Sequence, residues 1–167
     1  MSPAVRPERV LIVDEDPDVL DLLSRQVLEP LGYKVATADN AGEAIQQAVG
    51  FTPDLIVASL MLPGLSGKDL LVALRSQGIE VPVLVTAEAG READAIQAFR
   101  LGARDYLVKP LREAEVLAAI ERSLQEVRLR HDSEQLTTQL ADSHRQLEAR
   151  VRELTTIYGI GKAVIST

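Results

Sequence analysis

Pro53-Asp54-Leu55-Ile56-Val57-Ala58-Ser59-Leu60-Met61-Leu62-Pro63-Gly64 is the stretch on which the reading of this chain turns. Leu55 to Ala58 is an unbroken aliphatic run, short enough for a strand and apolar on both faces. Pro63-Gly64 then forces a turn. A residue at the end of such a strand is held on a rigid edge. Here it is Ser59, expected to face solvent. Asp54 lies at the opposite end of the same strand.

Outward from this stretch the same pattern repeats. Val10–Val13, Tyr33–Ala38, Val81–Thr86 and Asp105–Val108 read as four more strands. Helical segments separate them. Pro17 suits a first helical turn, Val19, Leu20, Leu22, Leu23, Val27 and Leu28 mark one face, and Pro30 and Gly32 stop it. Asn40 and Glu43 form a capping pair for a helix through about Val49. Ser66 caps a helix carrying Leu70, Leu71 and Leu74 and ending near Gly78. Another helix runs from about Glu92 to Leu101, with Gly102 as its stop. Strand alternating with helix predicts parallel βαβ units, right-handed crossovers and helices on both faces of the sheet. Chemistry in such sheets gathers at the carboxyl ends of the strands. Those ends carry Asp14 and Glu15, Ser59, Thr86 and Lys109.

Composition narrows the classes. Of 167 residues none is cysteine or tryptophan, and only two are Phe and three Tyr. Disulfide and thiol chemistry are therefore excluded, and an aliphatic core is expected. The formal net charge of −7 argues against binding nucleic acid by bulk electrostatics. No uncharged run reaches the roughly 18 residues of a membrane span. Arg6, Glu8 and Arg9 interrupt any signal-peptide pattern, so a cytoplasmic protein is the expectation.

The stations at the strand ends, taken together, are specific. Val13-Asp14-Glu15-Asp16, then Ser59-Leu-Met-Leu-Pro63-Gly64, then Val85-Thr86-Ala87, then Asp105-Tyr106-Leu-Val-Lys109-Pro110 resemble the receiver domains of two-component response regulators. The resemblance covers about residues 8–124. It implies a flavodoxin-like five-stranded parallel sheet in the order 2-1-3-4-5; on the spacing of its own residues, the last helix is expected to extend into a coiled coil. It implies that Asp14, Glu15 and the backbone carbonyl of Met61 are Mg2+ ligands. Thr86 and Lys109 match the residues that sense a phosphoryl group, Tyr106 the aromatic that changes rotamer on activation, and Lys109-Pro110 the cis peptide. The nucleophile of that family is an aspartate, and this chain has Ser59 in its place.

That departure has chemical consequences. A carboxylate is already ionised at neutral pH, whereas a serine hydroxyl needs an adjacent general base. Aspartyl-phosphate chemistry is therefore not expected here, and neither is enzymatic activity. Mg2+ binding should be weakened, because a hard cation prefers carboxylate oxygens to a neutral hydroxyl. Without phosphate, Lys109 has Asp14 as an available partner. Two other likenesses fail. Asp14-Glu15-Asp16 is similar to the paired acids of haloacid-dehalogenase-type phosphatases, but no later acidic pair stands at a strand end. Gly159-Ile-Gly-Lys162 is similar to a phosphate-binding loop, but Thr156 stands where its first glycine belongs.

Neither Gly nor Pro occurs from Leu111 to Tyr158. A helix of that length would extend roughly 72 Å. Val116, Leu117, Ile120 and Leu124 would cover the sheet. Beyond them the ladders Leu129, Leu140, Val151 and Leu136, Leu147, Tyr158 each repeat every 11 residues, interrupted on a third row by Asp132 and Ser143. Such a stripe cannot bury itself, so a parallel homodimer through residues 125–158 is expected, with a nearly straight or slightly right-handed coil. Arg152 to Thr167 looks like the helical lead-in to GAF-type sensory domains. The expected organisation is thus a flexible arm (1–7), a receiver (8–124), a signalling helix (125–158) and a lead-in (159–167). The expected partners are a second copy and a histidine kinase or phosphotransfer protein. The other reading is a passive dimerisation scaffold with the same fold.

Overall fold

The computed structural model describes the backbone of residues 6–165 and the side chains of residues 6–152. Most of the expected arm, and the side chains of Leu154, Tyr158 and the GAF-like lead-in, lie outside the described residues.

Five parallel strands form one sheet in the order β2-β1-β3-β4-β5: β1 (Arg9–Val13), β2 (Lys34–Ala38), β3 (Leu55–Ser59), β4 (Val83–Glu88) and β5 (Asp105–Lys109). This is the flavodoxin-like order that the resemblance implied. Every residue of β3 is buried, which explains its continuous apolar run. Side chains alternate between two cores. Leu11, Val13, Ile56, Ala58 and Val85 face α2 (Ala41–Phe51), α3 (Gly67–Ser76) and α4 (Glu92–Arg100). Val10, Ile12, Leu55, Val57, Leu84 and Leu107 face the first helix and α5 (Glu113–Ile165), through Leu23, Val27, Val116, Ile120 and Leu124. Each such large side chain stabilises by about 1.5–3 kcal/mol when fully buried.

The first helix is not regular. α1 spans Pro17–Asp21, continues as a π-helical run over Leu22–Leu28 and ends in a 3-10 turn over Glu29–Leu31. Asp16 caps its start by accepting from the Asp18 amide. Gly32 closes it at φ 92°, where a side chain would be strained. α2 begins with the Asn40 side chain accepting from the Glu43 amide, as its sequence predicts. α3 begins with a full capping box between Ser66 and Asp69.

The strand that departs most from the sequence reading is β4, at both of its ends. β4 starts at Val83 rather than Val81, because Pro82 has no N–H to give a ladder. It runs on to Glu88, because Ala87 and Glu88 pair with Val108 and Lys109. Thr86 therefore sits inside the strand, not at its end.

The chain divides into two compact units, one ending at Val127 and one beginning at Arg128. The α5 backbone is helical in both. In the second unit Leu129, Leu136, Leu140, Leu147 and Val151 are all exposed, the least of them at 57 %. No described helix is long and apolar enough to cross a membrane.

Candidate functional site

The chain turns from β1 to β2 on one side and to β3 on the other. The carboxyl ends of β1 and β3 thus form the switch point of the sheet, where an open α/β sheet leaves a crevice. Register brings the site together there. Ile12 pairs with Val57 and Val57 with Leu84. Two residues further on, on the same face of each strand, lie Asp14, Ser59 and Thr86. Ser59 and Thr86 are paired directly. Adjacent strands stand roughly 4.8 Å apart, which sets the spacing of these backbones. Lys109 ends β5 and reaches across: its Nζ donates to Asp14 Oδ2 at 2.8 Å.

The edge is not open to solvent as the sequence suggested. Asp14, Ser59 and Thr86 are each only 2 % exposed. At Ser59 the loop after β3 brings the cover close. The Gly67 amide donates to the Leu60 carbonyl, drawing the start of α3 onto the strand end. A Cβ at position 67 would stand 2.4 Å from the Ser59 carbonyl oxygen, so only glycine allows this approach.

Each polar group in the pocket has an identifiable state. Asp14 Oδ1 accepts from the Asp16 amide at 2.9 Å, and its Oδ2 takes the Lys109 ammonium. The Lys109 side chain is itself 17 % exposed. The Ser59 hydroxyl donates to the Met61 carbonyl and accepts from the Met61 amide, both at 3.2 Å. Neither Asp14 nor Glu15 is hydrogen-bonded to it, so no base takes its proton. Thr86 Oγ1 is buried without a hydrogen-bond partner. Glu15 is exposed.

Tyr106 is not part of this pocket. It lies on the opposite face of β5, half-buried, with its ring 5.8 Å from that of Phe99 in an edge-on arrangement at 87°. The Lys109-Pro110 peptide bond is cis. Two residues that the sequence reading passed over stand at the start of α3. Gly67 is one; its place just after the Ser66 cap was the available signal. Lys68 is the other. Its Nζ bridges α3 to α4, donating to Asp94 at 3.1 Å and to Gln97 at 2.7 Å. Twenty-six residues separate Lys68 from Asp94, so no local pattern marks the pair. These contacts, with Arg91, hold the Asp94 carboxyl below its ordinary range, the Lys68 hydrogen bond contributing most.

The sequence model of the response regulator receiver domain matches residues 10–121. The chain belongs to that family. Among curated relatives it is 40% identical over 121 residues to the transcriptional regulatory protein PrrA of Mycobacterium tuberculosis, covering 72% of this chain and 52% of that protein. It is 37% identical over 114 residues to the alkaline phosphatase synthesis transcriptional regulatory protein PhoP of Bacillus subtilis, covering 68% and 47%. The chain spans about half the length of the curated relatives it matches. Among solved structures, the receiver domain of NtrX from Brucella abortus superposes with a TM-score of 0.66 at 30% identity, covering 70% of this receiver's chain and 98% of that one. A CheY-like receiver domain protein from Methanospirillum hungatei gives 0.70 at 26% identity, covering 75% and 99%.

Receiver domains bind Mg2+ at an acidic pocket, and the residues of this receiver fit that ion poorly. Among the described residues no three His, Cys, Asp or Glu side chains cluster to hold a metal. Both Asp14 oxygens and the Met61 carbonyl already accept hydrogen bonds.

Proposed function

We propose that this receiver is an input module of a phosphorelay signalling protein that is not phosphorylated on aspartate, and that it relays its state through a paired helix. The observation that carries this reading is the Ser59 hydroxyl. In this reading it takes the phosphoacceptor position; it is hydrogen-bonded to the turn that follows it and donates its proton to a carbonyl rather than to a base. Such a hydroxyl is a weak nucleophile. Thr86 and Lys109 keep the places from which a receiver senses a phosphoryl group, and Tyr106 keeps that of the switch aromatic. Asp14, Glu15 and the Met61 carbonyl keep those of the metal ligands, with affinity for Mg2+ weakened by Ser59.

The exposed ladder of the second unit supports pairing with a second copy in parallel, through residues 125–158. Leu129, Leu140 and Val151 recur every 11 residues on one stripe, and each is exposed among the described residues. The likeness of Arg152–Thr167 to a GAF lead-in supports a sensory domain as the reader of that helix. A histidine kinase or phosphotransfer protein is the upstream partner of this reading. Activity as an enzyme forms no part of it.

Sedimentation of the full chain against a chain cut after Val127 tests the pairing. A dimer that becomes a monomer on truncation supports it, and a monomer in both removes it. The closed state of the pocket also favours a second reading, a scaffold whose receiver fold only makes protein contacts. Ser59→Asp separates the two. Restored phosphorylation with altered helix pairing supports a relay, and phosphorylation without any change in pairing supports the scaffold.

A further inference from the structure

We infer that the pocket of this receiver is metal-independent, because the Lys109 ammonium and the Ser59 hydroxyl proton together occupy the roles a divalent cation would fill. The inference rests on the receiver reading of the site and names what regulates it.

Three oxygens would have to serve such a cation from the buried side: the two of Asp14 and the carbonyl of Met61. Each is already engaged. The ammonium takes Oδ2 at 2.8 Å and the Asp16 amide takes Oδ1 at 2.9 Å. The Ser59 proton takes the Met61 carbonyl at 3.2 Å. An incoming ion must compete with the ammonium, the amide and the hydroxyl proton for the lone pairs of these oxygens. Mg2+ is smaller and more strongly hydrated than most competitors and gives up its waters reluctantly, so it is poorly suited to doing so.

Charge points the same way. Of the two implied acidic ligands, Asp14 is paired with Lys109, which leaves the negative charge of the other uncompensated by that ammonium. That charge resides on Glu15, which is exposed and screened by water. An aspartate at position 59 would add a buried negative charge and would have no proton to give to Met61. The serine therefore acts twice: it removes a ligand charge, and its hydrogen bond covers a neighbouring ligand. Asp14, only 2 % exposed, needs a cation beside it, and Lys109 supplies one from within the chain.

Mn2+, read by the loss of its free electron paramagnetic resonance signal, is the direct probe on the full chain. Wild type should leave the signal of millimolar Mn2+ unchanged. Ser59→Asp should bind it on the order of tenfold more tightly or better, and Lys109→Met should also gain binding. Because Lys109→Met risks unfolding, circular dichroism accompanies it and Ser59→Asp stands as the independent variant. Binding by wild type that is lost in Asp14→Asn would overturn the inference. So would the absence of binding in a folded Ser59→Asp chain, since the barrier would then lie elsewhere. The wild-type chain treated with a small phosphodonor separates this inference from the proposed function: an unmodified mass together with bound Mn2+ would overturn the inference and leave the proposed function standing.

Discussion

Lys109 Nζ lies 2.8 Å from Asp14 Oδ2, joining the end of β5 to the end of β1 across the full width of the pocket. The carboxylate is buried and the ammonium largely so. Removing one member of a buried pair leaves the other without compensation, which costs about 3–5 kcal/mol. Lys109 keeps some contact with water, so Lys109→Met should cost about 3 kcal/mol, the lower end of that range. The double variant Asp14→Asn, Lys109→Met should regain most of the loss. Urea denaturation of the four chains measures the coupling; additive losses would show that the pair does not act as a unit.

Thr86 presents the reverse situation. Its hydroxyl is buried and unpartnered. A polar group left so costs about 1–3 kcal/mol of desolvation. Thr86→Val keeps the shape and removes the group. It should stabilise the chain by about 1 kcal/mol, seen as a higher urea midpoint at unchanged slope. A destabilised Val variant would mean that the hydroxyl has a partner in solution.

Gly67 sets how closely α3 approaches Ser59. A Cβ there meets the Ser59 carbonyl oxygen at 2.4 Å and the Leu60 Cα at 2.8 Å, both backbone atoms. Gly67→Ala cannot be relieved by a side-chain rotation. It should cost about 2 kcal/mol, within the range for overpacking, and shift the amide resonances of Leu60 and Met61. An Ala variant as stable as wild type would show that the loop after β3 yields freely.

The Lys68–Asp94 bridge between α3 and α4 gives a pH signature. Asp94 titrates below its ordinary range in the folded chain. A depressed carboxyl contributes stability that is present above its unfolded value and is lost as pH falls through its folded value. The stability difference between wild type and Lys68→Met should therefore be constant near neutrality and shrink in acid, below the ordinary aspartate range. A difference that grew on acidification would contradict this assignment.

Much of this was readable in the sequence because the signals are local. The runs at Val10–Val13 and Leu55–Ala58 are apolar on both faces, and only central strands of a covered sheet need that. Asn40 and Ser66 announce their helices through the oxygen each offers to a nearby amide. The order of strand ends placed Asp14, Ser59, Thr86 and Lys109 at one edge; the register sets Ser59 beside Thr86, and the Lys109 side chain reaches Asp14. What escaped was set by tertiary contact. Ser59 was expected in solvent, but Gly67 and Leu60 bring α3 over it. The π-helical run after Asp21 has no sequence mark. Lys68 and Asp94 look like ordinary surface charges until two helices pack side by side.

The central claim is that the phosphoacceptor position holds an alcohol that accepts no phosphoryl group, and intact-mass spectrometry after incubation with a small phosphodonor and Mg2+ tests it most directly. The account predicts the mass of the unmodified chain for wild type and a phosphorylated species for Ser59→Asp. A phosphoryl group on wild type, on Ser59 or on any aspartate, would contradict it.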